Sequence, residues 1–600
     1  MPPVRAARPA RRARARRTRG SVTFRLRVGL LVIAVVLSVF AGRLVQLQGL
    51  DPHSYAAMAA AEGTVTLTIP ATRGDILDRN GEPLADSVEG LMIVADPQLT
   101  APQAPALAKL LSRRLDLDYF TTLQRLRARE SRFQYVARQV PASTAMAVVS
   151  DATEAGFPGL DTQEDPIRTY PAKDVAANLV GFLGEPTNKG KAVPLAGFED
   201  TFDSWLAGHD GQTRYEVGGG NRLPLGESTL EQPRDGRDLR TTIDADLQWY
   251  VQRVLRDTVR SAGGASGMAI VMDTHSGEVL AMADDPTFDA SSPLTTPDES
   301  LFASRAATDV YEPGSVEKVL TASALIDAGH VTMRTRFDVP PQLERQDRVI
   351  GDWFDHGDLK MTLAGIIAQS SNIGTVLAAD RFDRGELRRY LGEFGLGRRT
   401  GAGVGGESPG ILPRGTDWTS QVGDRIAFGQ SVSVNALQMT AAVNTIANSG
   451  VRVDPSLVEG AARADSGRMI GTDEATSRRV VSDEAARETS LMMERVVDPD
   501  AGVAPGAAIP GYRVAGKTGT AQRVSPDCGC YDGSTTVSFA GFAPADDPRF
   551  TVYVAVQEPR AGSGGGSVAG PAFAKMMGFT LRRYGVPPTG TRPSRVPVTW

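Results

Sequence analysis

A serine at the predicted start of a helix, with a lysine one turn later, constrains this 600-residue chain more than any other feature. Pro313 and Gly314 disfavour a helix before Ser315, whereas the apolar spacing after it predicts a helix that ends near Gly329. Lys318 then lies on the same helix face as Ser315. A serine becomes a nucleophile when a base takes its proton, and a lysine desolvated in a cleft has a pKa low enough for that task. Alone, the pattern also fits a helix cap followed by a solvated lysine.

Two further stretches follow in chain order and change that weighting. Ser370-Ser371-Asn372 comes after an apolar helix-like segment, and Lys517-Thr518-Gly519-Thr520 comes after a short strand-like run that begins at Tyr512. Ser-x-x-Lys, Ser-x-Asn and Lys-Thr-Gly, in this order, are the motif set of penicillin-binding proteins and serine β-lactamases. The chain therefore resembles the penicilloyl-serine transferase superfamily, whose α+β fold has an antiparallel sheet with helices on both sides.

The resemblance implies a set of catalytic residues. Ser315 is the expected nucleophile and Lys318 its base, while Ser370 and Asn372 complete the proton relay and hold the substrate amide. The expected catalytic residues are Ser315, Lys318, Ser370, Asn372 and Lys517.

It also implies how substrate would bind. The backbone N–H groups of Ser315 and Thr520 are the expected oxyanion hole. Lys517 with the hydroxyls of Thr518 and Thr520 suits a substrate carboxylate, and Gly519 lets a peptide lie against the strand as an added β-strand.

Two nearby features are less certain in meaning. Glu317 stands where several relatives have an apolar or aromatic residue, which leaves the chemistry intact but the local packing open. The segment Gly429–Val434 also resembles a family segment, and we favour a packing role for it over a role in the site.

Other catalytic classes are disfavoured. The five histidines lie outside every motif and no G-x-S-x-G elbow occurs, which argues against a Ser-His-Asp hydrolase. No H-E-x-x-H or clustered ligand spacing indicates a metal, and the resemblance implies no cofactor. Cys528 and Cys530 are the only cysteines. A short-range disulfide and two free thiols both stay open, because a three-residue loop strains disulfide geometry.

The N-terminus predicts a membrane anchor. Residues 1–27 carry ten arginines and no acid, and the apolar run from Val28 to about Leu50 is interrupted only by Arg43. Such a run can span roughly 30 Å of hydrocarbon, and the arginines before it place the N-terminus in the cytoplasm. The alternatives are a nucleic-acid arm for the basic residues and a cleaved signal peptide, for which Ser38–Ala41 is a poor cleavage site. We expect a single-pass cell-membrane protein with an extracytoplasmic catalytic domain and no nucleic-acid partner.

A second, non-catalytic module is expected between the anchor and the site motifs. Ile69–Gly81 is strand-like, ends in an Asn-Gly turn and resembles the signature that opens the extracellular part of class B penicillin-binding proteins. Residues 101–150 include leucines at helical spacing. In the family such segments build a pedestal, the dimerisation domain; an ordinary α+β domain is the alternative. The glycan-polymerase motif E-D-x-x-F-x-x-H is absent, so a bifunctional class A protein is excluded.

The predicted boundaries follow from these segments, with the Gly/Pro-rich stretch 218–236 as the junction. They are a basic cytoplasmic tail at 1–27, a transmembrane anchor at 28–50, the pedestal at 51–235, the transpeptidase domain at 236–586 and a Pro-rich tail at 587–600. The catalytic region is predicted to contain a helix at 245–259, a hairpin at 268–282, strands at 536–542 and 550–556 and a closing helix at 568–583.

The resemblance covers about 24–586 and identifies the chain as a member of the class B penicillin-binding proteins, which implies a peptidoglycan D,D-transpeptidase. Ser315 would attack the penultimate D-Ala carbonyl of a stem peptide ending in D-Ala-D-Ala. The amine of a neighbouring stem would then resolve the acyl-enzyme into a cross-link. β-Lactams are the expected covalent inhibitors.

Within the family, the anchor with Gly42–Gln48 looks most like the septal, division-specific branch of actinobacterial type. That branch implies two kinds of partner, a lipid II polymerase of the shape/division family and other divisome membrane proteins. The alternatives are an elongation-specific class B transpeptidase, a D,D-carboxypeptidase and a non-catalytic division scaffold.

Overall fold

The computed structural model describes residues 22–46, 64–128, 130–185, 192–218, 221–222, 228–346, 348–525, 528–562 and 564–600. The chain divides into two compact units, Met1–Ile69 with Gly211–Gln232 and Pro70–Asp210 with Pro233–Trp600. The fold is mixed α+β, as predicted.

The first unit contains one long apolar helix. α1, Val22–Val45, has no buried residue, and its most apolar 18-residue window has a mean hydropathy of 2.5. At its length of about 36 Å it is long and apolar enough to cross a membrane. It begins before the predicted anchor, 28–50, because Phe24 and Leu26 continue the apolar sequence past the flanking arginines. Residues 1–21 of the predicted tail and 47–50 of the predicted anchor lie outside the described residues.

A small antiparallel sheet completes this unit. β8, Gly211–Gly218, lies between β1, Thr64–Ile69, and β10, Ser228–Glu231, and also pairs with β9, Asn221–Arg222. Part of the predicted junction, 218–236, therefore forms the strands β9 and β10. The domain boundary at 235–236 stays a prediction.

The second unit begins with two more sheets. One has the order β11-β2-β3-β7, and in the other β4 lies between β5 and β6. Their strands are β2 Ile76–Leu77, β3 Pro83–Val88, β4 Gly90–Ala95, β5 Gln134–Pro141, β6 Leu160–Glu164, β7 Ile167–Thr169 and β11 Leu239–Arg240. The predicted hairpin at Asn80-Gly81 is confirmed, because β2 and β3 pair across it.

Seven α-helices accompany these sheets among the described residues, and two of them, Tyr119–Arg127 and Ala142–Glu154, pack against the sheet that contains β4. The seven are α2 Pro97–Thr100, α3 Ala104–Leu115, α4 Tyr119–Arg127, α5 Ala142–Glu154, α6 Ala177–Val180, α7 Gly197–Thr201 and α8 Asp203–Leu206. The predicted leucine spacing is confirmed in α3, where Leu107 and Leu111 are fully buried in a core shared with Leu126 and Val148.

A five-stranded antiparallel sheet is the centre of the second unit, with the order β13-β12-β24-β23-β22. Its strands are β12 Ser266–Asp273, β13 Val279–Asp285, β22 Ala515–Val524, β23 Tyr531–Ala543 and β24 Phe550–Gln557. Every residue of β24 is buried, which requires that both faces of the sheet are covered. The predicted hairpin and both predicted later strands are confirmed; β22 begins at Ala515 rather than at Tyr512.

Two groups of helices cover this sheet. One group consists of α9, Ala245–Ala262, packed with α18, Gly565–Arg583. The other consists of α11, Lys318–Asp327, packed with α16, Ala436–Ala447, and α17, Asp483–Val497. The remaining helices are α10 Arg305–Thr308, α12 Leu363–Gln369, α13 Asn372–Ala379, α14 Glu386–Glu393 and α15 Ser420–Ile426. The short strands are β14 Arg336–Val339, β15 Leu343–Arg345, β16 Arg348–Ile350, β17 Leu359–Thr362, β18 Val451–Val453, β19 Ala462–Arg463, β20 Met469–Ile470 and β21 Ser477–Arg479.

The predicted Pro-rich tail, 587–600, packs against the domain. Val596 is buried, the Thr362 hydroxyl donates to the carbonyl of Pro597 at 2.6 Å, and Thr599 bridges to Met361 of β17. The Lys360 ammonium lies 4.8 Å from the ring centroid of Trp600 in a cation–π contact. The sequence predicts only that this tail is Pro-rich, whereas in the structure apolar side chains and backbone pairing fix the segment.

An ion-pair network ties together the segments predicted to form the pedestal. Glu199 has a fully buried side chain whose two carboxylate oxygens accept from Arg73 Nε at 2.6 Å and Arg168 Nε at 2.7 Å. Arg73 also pairs with Asp203 at 2.6 Å, and the Tyr170 hydroxyl donates to Glu199 at 3.3 Å. Removing one partner of such a pair leaves buried charges without compensation.

Glu199→Ala should therefore destabilise this region strongly, because it strands two guanidinium groups. We expect the free energy of unfolding of the purified full-length protein to fall by about 3–5 kcal/mol in denaturant titrations. Asp200→Ala is the matched control, since its side chain is the exposed neighbour on α7, and it should change this free energy by less than about 0.5 kcal/mol. Equal effects of the two variants would contradict the assigned network.

Candidate active site

Ser315 lies in a turn forced by its neighbours. A 3₁₀ helix spans Gly314–Val316, and α11 follows from Lys318, so the predicted helix begins with a tighter turn than expected. Gly314 has a φ of +56°, and a Cβ there would lie 2.8 Å from the carbonyl oxygen of Thr520. Its N–H donates to the carbonyl of Gly429 at 2.9 Å. Ser315 is thereby held between two other chain segments.

Lys318 lies fully buried beside Ser315. Its Nζ donates to the carbonyl of Ser370 at 2.7 Å and to Asn372 Oδ1 at 2.7 Å. Burial lowers the pKa of Lys318 to about 7, although the Asp352 carboxylate opposes this shift. An amine with this pKa is half neutral near physiological pH, which is the form that can accept a proton.

Lys517 is a second fully buried amine. Its Nζ donates to Ser370 Oγ at 2.8 Å and lies 3.2 Å from both the carbonyl and hydroxyl oxygens of Thr518. Burial, and then repulsion from Lys318, hold the pKa of Lys517 well below its ordinary value. Ser370 thus connects the two amines, accepting from Lys318 with its carbonyl and from Lys517 with its hydroxyl.

The third motif occupies β22, the last strand in the order of the central sheet. Thr518 is nearly buried and Thr520 is exposed, and the Thr520 hydroxyl accepts from the Gly565 N–H at 3.4 Å. A Cβ at Gly519 would overlap Ser538 Oγ and lie 2.9 Å from the Pro313 carbonyl. Glycine at this position is therefore required by packing within the fold, and the approach of a peptide to this strand stays a prediction.

The three motifs open into one cavity of about 410 Å³. Ser315, Ser370, Asn372, Thr518 and Thr520 all line it. The two lysines lie beneath its floor. All of the sequence-predicted site residues therefore converge; what each does stays a proposal, because geometry alone places them.

Part of the cavity wall was not predicted. Trp353 lines it with 64% of its surface exposed, and its indole N–H donates to the carbonyl of Gln369 at 2.8 Å. Phe428, Gln430 and Gly564–Gly566 complete the wall. In the sequence, only the glycine run at the start of the closing helix could have indicated this part of the wall. No local pattern marks Trp353 as a residue that lines the same cavity as Ser315.

The open questions around the motifs have structural answers. Glu317 is fully buried, accepts from the Thr321 hydroxyl at 2.7 Å, and has a pKa well above its ordinary value because of burial.

Cys528 and Cys530 form a disulfide, which decides between a disulfide and two free thiols. Gly429–Val434 packs as expected, with Val432 and Val434 buried, but Gln430 also lines the cavity. Among the described residues no cluster of His, Cys, Asp or Glu is suited to a metal ion.

Comparison with known sequences and structures identifies the family. Residues 267–578 match the penicillin-binding protein transpeptidase domain, and residues 68–241 match the penicillin-binding protein dimerisation domain. The chain belongs to the class B penicillin-binding proteins and is a peptidoglycan D,D-transpeptidase.

Its relatives span nearly the full length. Penicillin-binding protein PbpB of Mycolicibacterium smegmatis is 34% identical over 96% of this chain and 94% of that protein. Peptidoglycan D,D-transpeptidase FtsI of Escherichia coli is 30% identical over 94% of this chain and 92% of that protein. The crystal structure of penicillin-binding protein 3 of Mycobacterium tuberculosis, complexed with aztreonam, is 30% identical with a TM-score of 0.68, and covers 89% of this chain and 100% of that chain.

The pKa of Lys318 predicts how acylation depends on pH. Below about pH 7 the amine is protonated and cannot take the Ser315 proton, so the rate of acylation should rise through that value as pH increases. The measurement is the second-order rate of labelling of the purified protein by a fluorescent penicillin between pH 5 and 9.

Lys318→Arg tests the cause of that dependence, because arginine keeps the positive charge but cannot become neutral. Its labelling should be nearly absent at every pH. Labelling within about tenfold of the unmodified protein, or a rate that is flat across pH 7, would assign the base elsewhere.

Proposed function

We propose that this protein cross-links peptidoglycan through an acyl-enzyme at Ser315 during septal wall synthesis. The observation that carries the catalytic assignment is the fully buried amine of Lys318, one helical turn after Ser315, with a pKa of about 7 and two hydrogen bonds to the second motif. A surface lysine after a helix cap would have neither feature.

In the first half-reaction, the neutral Lys318 amine takes the proton of Ser315 as Oγ attacks the penultimate D-Ala carbonyl. The N–H groups of Ser315 and Thr520 stabilise the oxyanion, and the packing of Gly314 on the Thr520 carbonyl supports their proximity. The C–N bond then breaks. The departing D-Ala amine gains a proton delivered through the Ser370 hydroxyl.

In the second half-reaction, the amine of a neighbouring stem peptide attacks the Ser315 ester. The amine proton leaves through Lys318 and Ser370, the ester bond breaks, and Ser315 Oγ regains a proton. A D,D-carboxypeptidase would use water at this step with the same three motifs. The dimerisation domain without a glycan-polymerase motif favours the transferase.

Substrate binding follows from the same surfaces. Thr518 and Thr520 at the cavity, with Lys517 below, suit the terminal carboxylate of D-Ala-D-Ala. The strand edge at Gly519 suits an extended stem peptide added to the sheet. β-Lactams offer a carbonyl and a carboxylate in a similar relation, and the titles of two Mycobacterium tuberculosis penicillin-binding protein 3 structures record complexes with aztreonam and ampicillin. We infer covalent inhibition here by the same class.

The septal branch is supported by the likeness to PbpB and FtsI over most of both chains, together with the anchor sequence Gly42–Gln48. A lipid II polymerase of the shape/division family and other divisome membrane proteins are the partners that this role requires. An elongation-specific role is the alternative.

We infer that α1 is an uncleaved anchor with the N-terminus in the cytoplasm. Ten arginines lie in residues 1–27, and the Ser38–Ala41 stretch inside the helix contains Phe40, which suits signal-peptide cleavage poorly. The catalytic domain would then lie outside the cytoplasmic membrane, where its substrate is.

Ser315→Ala should abolish covalent labelling by a fluorescent penicillin and cross-linking of nascent glycan strands by the purified protein, because the nucleophile is gone. Ser323→Ala is the matched control, since Ser323 is a fully buried serine on α11, the helix that follows Ser315, and it should label as the unmodified protein does. Stoichiometric labelling of Ser315→Ala would place the nucleophile on another residue.

Depletion of the protein in its native cells separates the two branches. A septal transpeptidase should yield elongated cells whose division sites lack completed septa, scored by microscopy and by labelling of new peptidoglycan. Loss of elongation with normal septa would instead support the elongation-specific role.

A further inference from the structure

A buried carboxylate holds the second motif in place. Asp352 lies in the loop between β16 and β17, and none of its side chain is exposed. Its Oδ2 accepts from Ser371 Oγ at 2.6 Å, and its Oδ1 accepts from the backbone N–H groups of Asn372 at 2.5 Å and Ile373 at 3.0 Å. Asn372 returns a hydrogen bond from Nδ2 to the carbonyl of Gly351 at 3.0 Å. The loop and the motif are thus joined by four hydrogen bonds.

His356 completes the arrangement from within the same loop. Its side chain is 5% exposed, with Nε2 3.1 Å from Asp352 Oδ2 and Nδ1 2.6 Å from the carbonyl oxygen of Gly357. Both ring nitrogens therefore lie within hydrogen-bond distance of an oxygen acceptor, and the His356 ring packs against the Asp352 carboxylate.

This pair acts on the catalytic amine through the motif. The two acceptors of Lys318 Nζ are the carbonyl of Ser370 and Oδ1 of Asn372, which flank the residue that Asp352 holds. Ser370 itself has a φ of +61°, a left-handed conformation that a serine adopts at some cost and that its surroundings must maintain. Displacing Ser371 or Asn372 would move both acceptors.

We propose that Asp352, in contact with His356, is a positioning residue for the acylation step: it fixes Ser370-Ser371-Asn372 and thereby the two oxygen atoms that accept from the Lys318 amine. This inference rests on the proposed role of Lys318 as base, and it assigns neither Asp352 nor His356 any contact with substrate.

The charges around Lys318 make the electrostatic part testable. Asp352 raises the pKa of Lys318 against the larger lowering by burial. Glu317, just before α11, is buried, which raises its pKa well above its ordinary value, and Lys517 on β22 has a pKa well below its ordinary value. Asp355 and Asp358 in the loop are exposed. The Asp352 carboxylate is therefore the opposite charge that acts most strongly on Lys318.

Asp352→Asn should shift the pH dependence of acylation. Asparagine keeps the size and an acceptor oxygen but removes the negative charge, so the rising limb should move to lower pH. His356→Gln leaves the Asp352 carboxylate and its hydrogen bonds to the motif in place, so it should move the limb much less. The probe is a fluorescent penicillin on the purified full-length protein. Asp352→Asn should also lower the maximal acylation rate by about ten- to a hundredfold, because one charged hydrogen-bond acceptor is lost from three donors.

Asp284→Asn is the matched control. Asp284 is also a buried carboxylate that accepts from a hydroxyl, Ser304 Oγ at 2.8 Å, and from a backbone N–H, that of Ala306 at 2.8 Å, but its contacts lie outside the cavity. It should change thermal stability without moving the pH limb. A pH limb that stays in place in Asp352→Asn, or one that moves as far in His356→Gln as in Asp352→Asn, would overturn the proposal. A flat pH profile in the unmodified protein would instead overturn the base assignment of Lys318.

Discussion

The catalytic centre depends on burying two amines beneath one serine. Lys318 and Lys517 have no exposed surface, and each finds neutral oxygen acceptors rather than a carboxylate at its nitrogen. Burial without a directly paired anion is what lowers their pKa values. The hydrophobic packing of α11 against the central sheet therefore maintains the low pKa of both amines. If this packing loosened and admitted water, both amines would return to their ordinary protonated state and the base would be lost.

Sequence reasoning was effective where chemistry demands particular residues at particular spacings. The three motifs, the central strands and the leucine face of α3 all follow from local patterns that the structure bears out. It was weaker where long-range pairing decides the outcome. The stretch 218–236 has the composition of a linker, yet its backbone pairs with β8, and the tail at 587–600 is fixed by β17, far away in sequence.

The same limit explains the residues that were missed. Asp352 and Trp353 belong to a short irregular loop with no periodicity, and their importance arises only when that loop meets Ser371 and the mouth of the cavity. Glu317 shows the converse: its residue type left the packing open, and the structure buries it with a raised pKa while it accepts a hydrogen bond from Thr321 on the following helix. Contacts of this kind arise from the tertiary fold, and local patterns in a single sequence do not predict them.

The crossing of backbones at Ser315 has an evolutionary consequence. Gly314, Gly429 and Gly519 bring three chain segments so close that a side chain at any of them would overlap a neighbouring atom. The corner that would bind a reacting carbonyl is consequently built from peptide groups, which selection cannot alter by changing one residue without disrupting the corner. Variants that escape a β-lactam while still processing stem peptides would have to arise where side chains form the wall, as at Trp353 and Gln430. Catalysis would thus depend on the peptide groups around Ser315, whereas β-lactam resistance would arise in the side chains of the cavity wall.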